Sequence, residues 1–251
     1  MRARSPADPP LRRVGHKGAD LIAPGNTFAS FQAALAADVD MIEFDVLPEH
    51  LDGTGELWLA HDYEDARSRT PHTLEEGLAH FADAAYEGVE LDVDMKLPGY
   101  ERRVLEALRR HDLLDRTLIS TMELVSIDRI RALEPRVRVG LSVPRLRKDP
   151  MKQPHTAVLA FGAAAVIKRV GPVRAGRLVR SGRIDALMSH WRLVTPALVR
   201  AVHGAGGELY VWTVDEQPRI AALEAMGVAG VITNDPRLFG PRPGAPLPTS
   251  G

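Results

Sequence analysis

Glu90-Leu91-Asp92-Val93-Asp94-Met95-Lys96 alternates charged and apolar residues with a period of two. Successive side chains of a strand point to opposite faces. Glu90, Asp92, Asp94 and Lys96 therefore share one face, and Leu91, Val93 and Met95 the other. Unpaired buried charge is expensive, so a face with four charges is either an exposed sheet edge or the lining of an ionic interior that holds a cation. Upstream, Glu43-Phe44-Asp45 shows the same alternation, with both carboxylates on one face and Phe44 and Val46 on the other.

Outward from these two strands, short apolar runs alternate with amphipathic stretches. Leu11–Gly15, Met41–Val46, Val89–Met95, Thr117–Ser120, Val137–Val143, Ala186–Ser189, Glu208–Val214 and Gly230–Thr233 read as strands. Between them, Thr27–Ala37, Thr73–Ala84, Tyr100–Arg110, Glu123–Leu133, Pro196–Gly204 and Arg219–Met226 carry helical spacing. Asn26 or Thr27 stands at the first cap, and Pro196 at a first-turn position. Glu56–Ala60 follows the Asp52-Gly53 turn signal and forms a hairpin strand with Met41–Val46. Ala157–Val166 is apolar and fits either strand or helix. Strand-helix alternation implies parallel strands with helical crossovers. Eight such strands plus one hairpin strand close a single-domain (β/α)8 TIM barrel of the α/β class; an open doubly wound sheet is the alternative.

The 251 residues suit one barrel domain over 11–239, with a disordered arm at 1–10 and a Pro/Gly-rich tail at 240–251. With 32 Lys+Arg against 33 Asp+Glu, the net charge of -1 argues against general nucleic-acid binding. No cysteine is present, which excludes disulfides, thiolate metal sites and a cysteine nucleophile. The N-terminus, Met1 to Pro10, has no apolar core of signal-peptide length, and the longest apolar stretch, around Ala157–Ile167, is too short to span a bilayer, so a cytoplasmic protein is expected.

Several groups stand at predicted strand ends, where barrel enzymes place their chemistry. His16-Lys17-Gly18 ends the first strand, and His61-Asp62 follows the hairpin strand. Each histidine is a proton carrier near neutral pH or an ordinary structural residue. Glu43 and Asp45 are either oxygen ligands for a hard divalent cation or two acids at a solvated strand end. Lys96, nearest the end of its strand, is placed to meet a phosphate. Trp212 either walls a pocket or packs within the barrel. The P-loop, H-E-x-x-H, G-x-S-x-G and dinucleotide fingerprints are all missing.

Taken in order, the motifs resemble those of the glycerophosphodiester phosphodiesterase family. That family's pattern runs H-R-G, P-E-N-T, E-x-D, H-D, E-x-K, W-T-V and T-N-x-P. This chain carries His16-Lys17-Gly18, Pro24-Gly25-Asn26-Thr27, Glu43-Phe44-Asp45, His61-Asp62, Asp94-Met95-Lys96, Trp212-Thr213-Val214 and Thr233-Asn234-Asp235-Pro236. The resemblance implies a TIM barrel in which Glu43, Asp45 and Asp94 hold Mg²⁺ or Ca²⁺. It also implies that His16 and His61 carry out acid/base catalysis, and that Lys17, Lys96 and Trp212 contact a small phosphodiester substrate. The implied reaction is hydrolysis to glycerol phosphate and an alcohol. The rivals are a phospholipase D-like release of cyclic phosphate and a non-catalytic binding barrel.

Three positions depart from the family pattern. Lys17 stands for Arg, turning a planar fork into a point charge. Gly25 stands for Glu, and the two changes read as linked losses of an acid and its guanidinium partner. Asp94 stands for Glu, one methylene shorter, with Asp92 as an alternative but deeper ligand. The brief segment from His61 to Leu74 implies a small cap and a leaving group other than choline or ethanolamine.

Overall fold

The computed structural model describes residues 10–144 and 168–242. Ala157–Val166 lies outside them, as do 1–9 and 243–251. Eight strands form a closed parallel ring: β1 (Arg12–Gly15), β2 (Met41–Pro48), β4 (Glu90–Met95), β5 (Thr117–Thr121), β6 (Arg138–Val143), β7 (Ala186–His190), β8 (Glu208–Trp212) and β9 (Gly230–Thr233). The β1–β9 and β1–β2 pairings complete the ring and exclude the open sheet. β3 (Leu57–Leu59) pairs antiparallel with β2 outside it, as the hairpin signal predicts.

The helices are α1 (Phe28–Ala36), α2 (Tyr63–Ser68), α3 (Leu74–Phe81), α4 (Glu101–Arg110), α5 (Leu124–Leu133), α6 (168–180), α7 (Pro196–His203) and α8 (Gln217–Met226). Their starts follow side-chain chemistry. Thr27 and Thr73 close capping boxes with Ser30 and Glu76, and Thr195 caps α7 ahead of Pro196. α4 shows how burial follows the period: Val104, Leu105, Ala107 and Leu108 are buried, while Arg102, Arg103, Glu106, Arg109 and Arg110 are exposed. Two elements depart from the sequence expectation. α3 stops at Phe81 because Asp83 caps a separate turn at Ala84–Tyr86. The His61–Leu74 segment contains α2, started by the Asp62 carboxylate on the Glu64 and Asp65 amides.

Inward-facing side chains stack in three tiers. At the N-terminal end, Arg12 and Arg138 interlock with Glu90, Glu208 and the Tyr210 hydroxyl (Arg12–Glu90 2.5 Å, Arg138–Glu90 2.8 Å). The middle tier is apolar: Val14, Met41, Leu118, Ala186, Met188, Tyr210 and Ile232. A side chain at position 230 would strike the Tyr210 ring at 2.6 Å, so Gly230 makes room for it. The C-terminal tier is polar and holds the cavity described below. Outside the ring, the strands' other faces pack under the helices, with Phe31, Phe44 and Phe81 in ring contact at 4.7–6.0 Å.

Tyr100, fully buried, ties the mouth of β4 to β2. Its hydroxyl donates to the Val46 carbonyl (2.6 Å) and accepts from the Lys96 amide (3.0 Å). Tyr100→Phe is expected to lower stability by about 1–2 kcal/mol, because buried polar groups lose a partner without regaining water. Urea unfolding measures this; an unchanged midpoint would show the bond to be dispensable.

Candidate active site

A cavity of ≈ 160 Å³ opens at the C-terminal ends of the strands. His16, Glu43, His61, Asp94, Lys96 and Trp212 all line it. Register explains the convergence. Glu43 pairs with Asp92 and Asp45 with Asp94 across β2 and β4, so the two acidic strands place their charged faces side by side.

Oxygen atoms of Glu43, Asp45 and Asp94 lie within 4.8 Å of one another. Each acid is held differently. Glu43 accepts the Lys17 amide (2.7 Å). Asp45, fully buried, accepts from Asn26 Nδ2 (2.8 Å), while its own amide donates to Asn26 Oδ1 (3.0 Å). Asp94 pairs with Lys96 Nζ at 2.5 Å, and the same ammonium pairs with Asp45. Burial and the neighbouring Asp45 charge push the Glu43 carboxyl well above its usual range. Burial also opposes ionisation of Asp45, but the positive charges around it, Lys96 foremost, outweigh it and hold that carboxyl low. Lys96 is likewise desolvated, and Asp45, Asp94 and Glu43 keep it charged. Three converging carboxylates suit a hard divalent cation.

His16 sits one residue past β1, its amide bonded to the Thr233 carbonyl (2.8 Å). Its Nδ1 meets Asn234 Oδ1 at 2.5 Å. Asn234 is itself oriented by Asp215, which accepts from both the amide nitrogen (2.8 Å) and Nδ2 (2.7 Å). A carboxylate accepts only, so Nδ2 must face Asp215 and Oδ1 must face His16. His16 Nδ1 therefore carries the proton, and Nε2, 3.9 Å from Glu43, holds the lone pair. Burial, then the Lys17 charge, lowers the imidazole pKa and favours this neutral form.

His61 is half exposed, with Nδ1 3.1 Å from Asp62 and its amide on Asp65 (3.0 Å). Trp212 does wall the cavity, and its ring meets His190 edge-on at 5.3 Å. Lys17 and Asp45 lie behind the lining. Lys17, held at φ 49°, points its ammonium at Asp20 (3.2 Å). The Gly25 amide donates to the other Asp20 oxygen (2.9 Å), and a side chain at position 25 would strike that carboxylate at 2.5 Å. Lys17 thus has an acid from its own loop, which the paired-loss reading of positions 17 and 25 did not foresee.

Four positioning residues had no site role in the sequence reading. Asn26 stands in the Pro24-Gly25-Asn26-Thr27 motif as one of two cap candidates; Thr27 is the cap, and Asn26 clamps Asp45. Asn234 stood inside a quoted motif, and Asp215 directly follows Trp212-Thr213-Val214; the β1–β9 closure brings them to His16. Asp62 both starts α2 and braces His61.

The model of the glycerophosphoryl diester phosphodiesterase family matches residues 61–238. A glycerophosphodiester phosphodiesterase of Caldanaerobacter subterraneus subsp. tengcongensis is 24% identical, covering 89% of this chain and 93% of its own. Among solved structures, an Oleispira antarctica phosphodiesterase in complex with the product sn-glycerol-3-phosphate superposes with a TM-score of 0.66. It is 20% identical, over 92% of this chain and 94% of that one. A glycerophosphodiester phosphodiesterase from Agrobacterium tumefaciens gives 0.65 at 18% identity, over 91% and 98%. At such identities the structures speak to the shared barrel.

Proposed function

Because the chain belongs to the glycerophosphoryl diester phosphodiesterase family, and is thereby a phosphoric diester hydrolase, we propose that His16 and His61 convert a glycerophosphodiester to glycerol phosphate and an alcohol. The observation that carries this reading is the convergence of both imidazoles on one cavity beside three clustered carboxylates.

The chemistry assigned to the residues follows from their protonation and charge. His16, with its proton on Nδ1 and its lone pair on Nε2, takes the proton of the glycerol hydroxyl that attacks phosphorus. His61, braced by Asp62, gives a proton to the departing alcohol. The histidines then exchange roles as water opens the cyclic phosphate. Glu43, Asp45 and Asp94 would hold Mg²⁺ or Ca²⁺, which supplies charge neutralisation at the phosphoryl oxygens. Lys96 and Lys17 add positive charge around the same carboxylates, and Trp212 bounds the substrate on the β8 side. The cysteine-free chain suits a reducing compartment, and we assign it to the cytoplasm. Among the described residues no helix is long and apolar enough to cross a membrane.

Phosphorus NMR of a glycerophosphodiester panel, with Mg²⁺ or Ca²⁺ added, tests the reaction. Glycerol phosphate is the expected final signal, lost on chelation and regained on adding metal. A cyclic phosphate that persists would instead mark the phospholipase D-like reaction, and binding without turnover a non-catalytic barrel.

The Asp215–Asn234 arm yields a separate expectation. Asn234→Ala should lower kcat by about 10–100-fold, as for orienting partners of other functional histidines, with little change in KM. An Asn234→Ala enzyme with wild-type kcat would mean the His16 tautomer is set by something else.

A further inference from the structure

Among the described residues, Asp92 is a cavity side chain with no ion-pair partner. It is 1% exposed, and neither carboxylate oxygen has a hydrogen bond of full geometry, the Ser120 hydroxyl being the one neighbour close enough to favour its charged form. It nevertheless lines the cavity, together with the hydroxyl-bearing Ser120 and Ser142, both buried, on the neighbouring strands β5 and β6. Buried polar atoms are rarely left unpaired in a native protein, and an exception points to a water, ion or ligand that completes them.

The surroundings narrow the choice. The cation-seeking oxygens are those of Glu43, Asp45 and Asp94, and Asp92 is not part of that set. Lys96 pairs with Asp45 and Asp94, leaving Asp92 outside its ion pairs. A phosphate would meet a carboxylate here and be repelled. Met188 and Ile232 offer apolar surface beside the polar trio. A group with C–H faces and hydroxyl edges fits both halves of this floor; a bare cation would fit only the polar half.

We propose that Asp92, Ser120 and Ser142 form a diol-recognition subsite that hydrogen-bonds the free hydroxyls of the substrate's glycerol half. This rests on the phosphodiesterase reading above and names what that site recognises: the polyol, held below the metal-binding acids, while the alcohol on the other side of phosphorus is left unspecified. Such a floor selects for a terminal hydroxyl, because removing it strands the Asp92 oxygens again.

Calorimetry with sn-glycerol-3-phosphate and with propane-1,2-diol phosphate, which lacks only the terminal hydroxyl, tests the subsite. The wild type is expected to prefer glycerol phosphate by about 10–100-fold. Asp92→Leu should bring that ratio close to one, and Ser142→Ala should reduce it in part. Asp92→Asn, which keeps hydrogen-bonding atoms, covers the case that the leucine variant does not fold and should retain part of the preference. Calcium titrations are expected to give the same affinity in wild type and Asp92→Asn. A wild type that binds both ligands equally, or an Asp92→Leu protein that keeps the preference, overturns the subsite while leaving the phosphodiesterase reading intact. A large loss of calcium affinity in Asp92→Asn makes Asp92 a metal ligand and also overturns it. A wild type that binds neither ligand and releases no glycerol phosphate overturns both readings.

Discussion

His16→Ala and His61→Ala should each lower kcat on a glycerophosphodiester by about 10²–10⁴-fold, the usual worth of a positioned proton carrier. The two variants differ in what else they disturb. His61 is half exposed and, among the described residues, its ring nitrogen meets Asp62, so its loss should leave the unfolding midpoint nearly unchanged. His16 is mostly buried, and its removal leaves Asn234 Oδ1 without a donor, although Asp215 still holds the amide group. A modest loss of stability is expected there. The double variant should be little worse than the poorer single one, because the two groups act as one proton-transfer unit. Initial-rate assays of glycerol phosphate release, paired with thermal melts, separate chemistry from folding. Near-wild-type turnover in either folded variant would remove the two-histidine mechanism.

Asp45→Asn should lower kcat by about a thousandfold or more, the several kcal/mol that a Lewis-acid cation supplies to a phosphoryl transfer. Asp45 touches more of the site than either partner acid: Lys96 on one oxygen, Asn26 on the other, and Glu43 and Asp94 beside it. Neutralising it removes one of the three proposed metal ligands and, among the described residues, leaves the Lys96 ammonium with Asp94 as its remaining ion-pair partner. Breaking a buried pair in this way costs about 3–5 kcal/mol, so the metal-free variant should melt lower as well. Titration with Mn²⁺, Mg²⁺ or Ca²⁺ should show weaker binding than in wild type. An Asp45→Asn protein that binds these ions as tightly as wild type would displace Glu43, Asp45 and Asp94 as the metal centre.

The charged stripe on β4 shows where sequence reading ends. Alternation established that Glu90, Asp92, Asp94 and Lys96 share a face, and they do. It could not say that they would have three different fates. A strand rises about 3.3 Å per residue, so one face runs from the closed end of the barrel to its mouth. Glu90 is consumed by Arg12 and Arg138 at the closed end, Asp92 midway has no ion-pair partner among the described residues, and Asp94 and Lys96 meet Asp45 at the mouth. Depth along the barrel axis is set by the register of neighbouring strands, which leaves no local mark.

The same reasoning separates His16 from its supports. That His16 and His61 belong with Glu43, Asp45 and Asp94 was legible from motif order and strand ends. That Asn234, 218 positions along the chain, fixes the His16 tautomer was not, because only the β1–β9 closure brings Thr233 against Gly15. Nor was the Asp20 carboxylate that receives Lys17 and the Gly25 amide, since it depends on the path of a single loop.

The sequence by itself determined the alternating β/α rhythm, the faces of the strands and the chemical types gathered at their ends. These follow from side-chain period and capping, which act over a few residues. Tertiary structure alone decided which charges pair and which stay unpaired, because ring closure and register join residues that no local pattern connects.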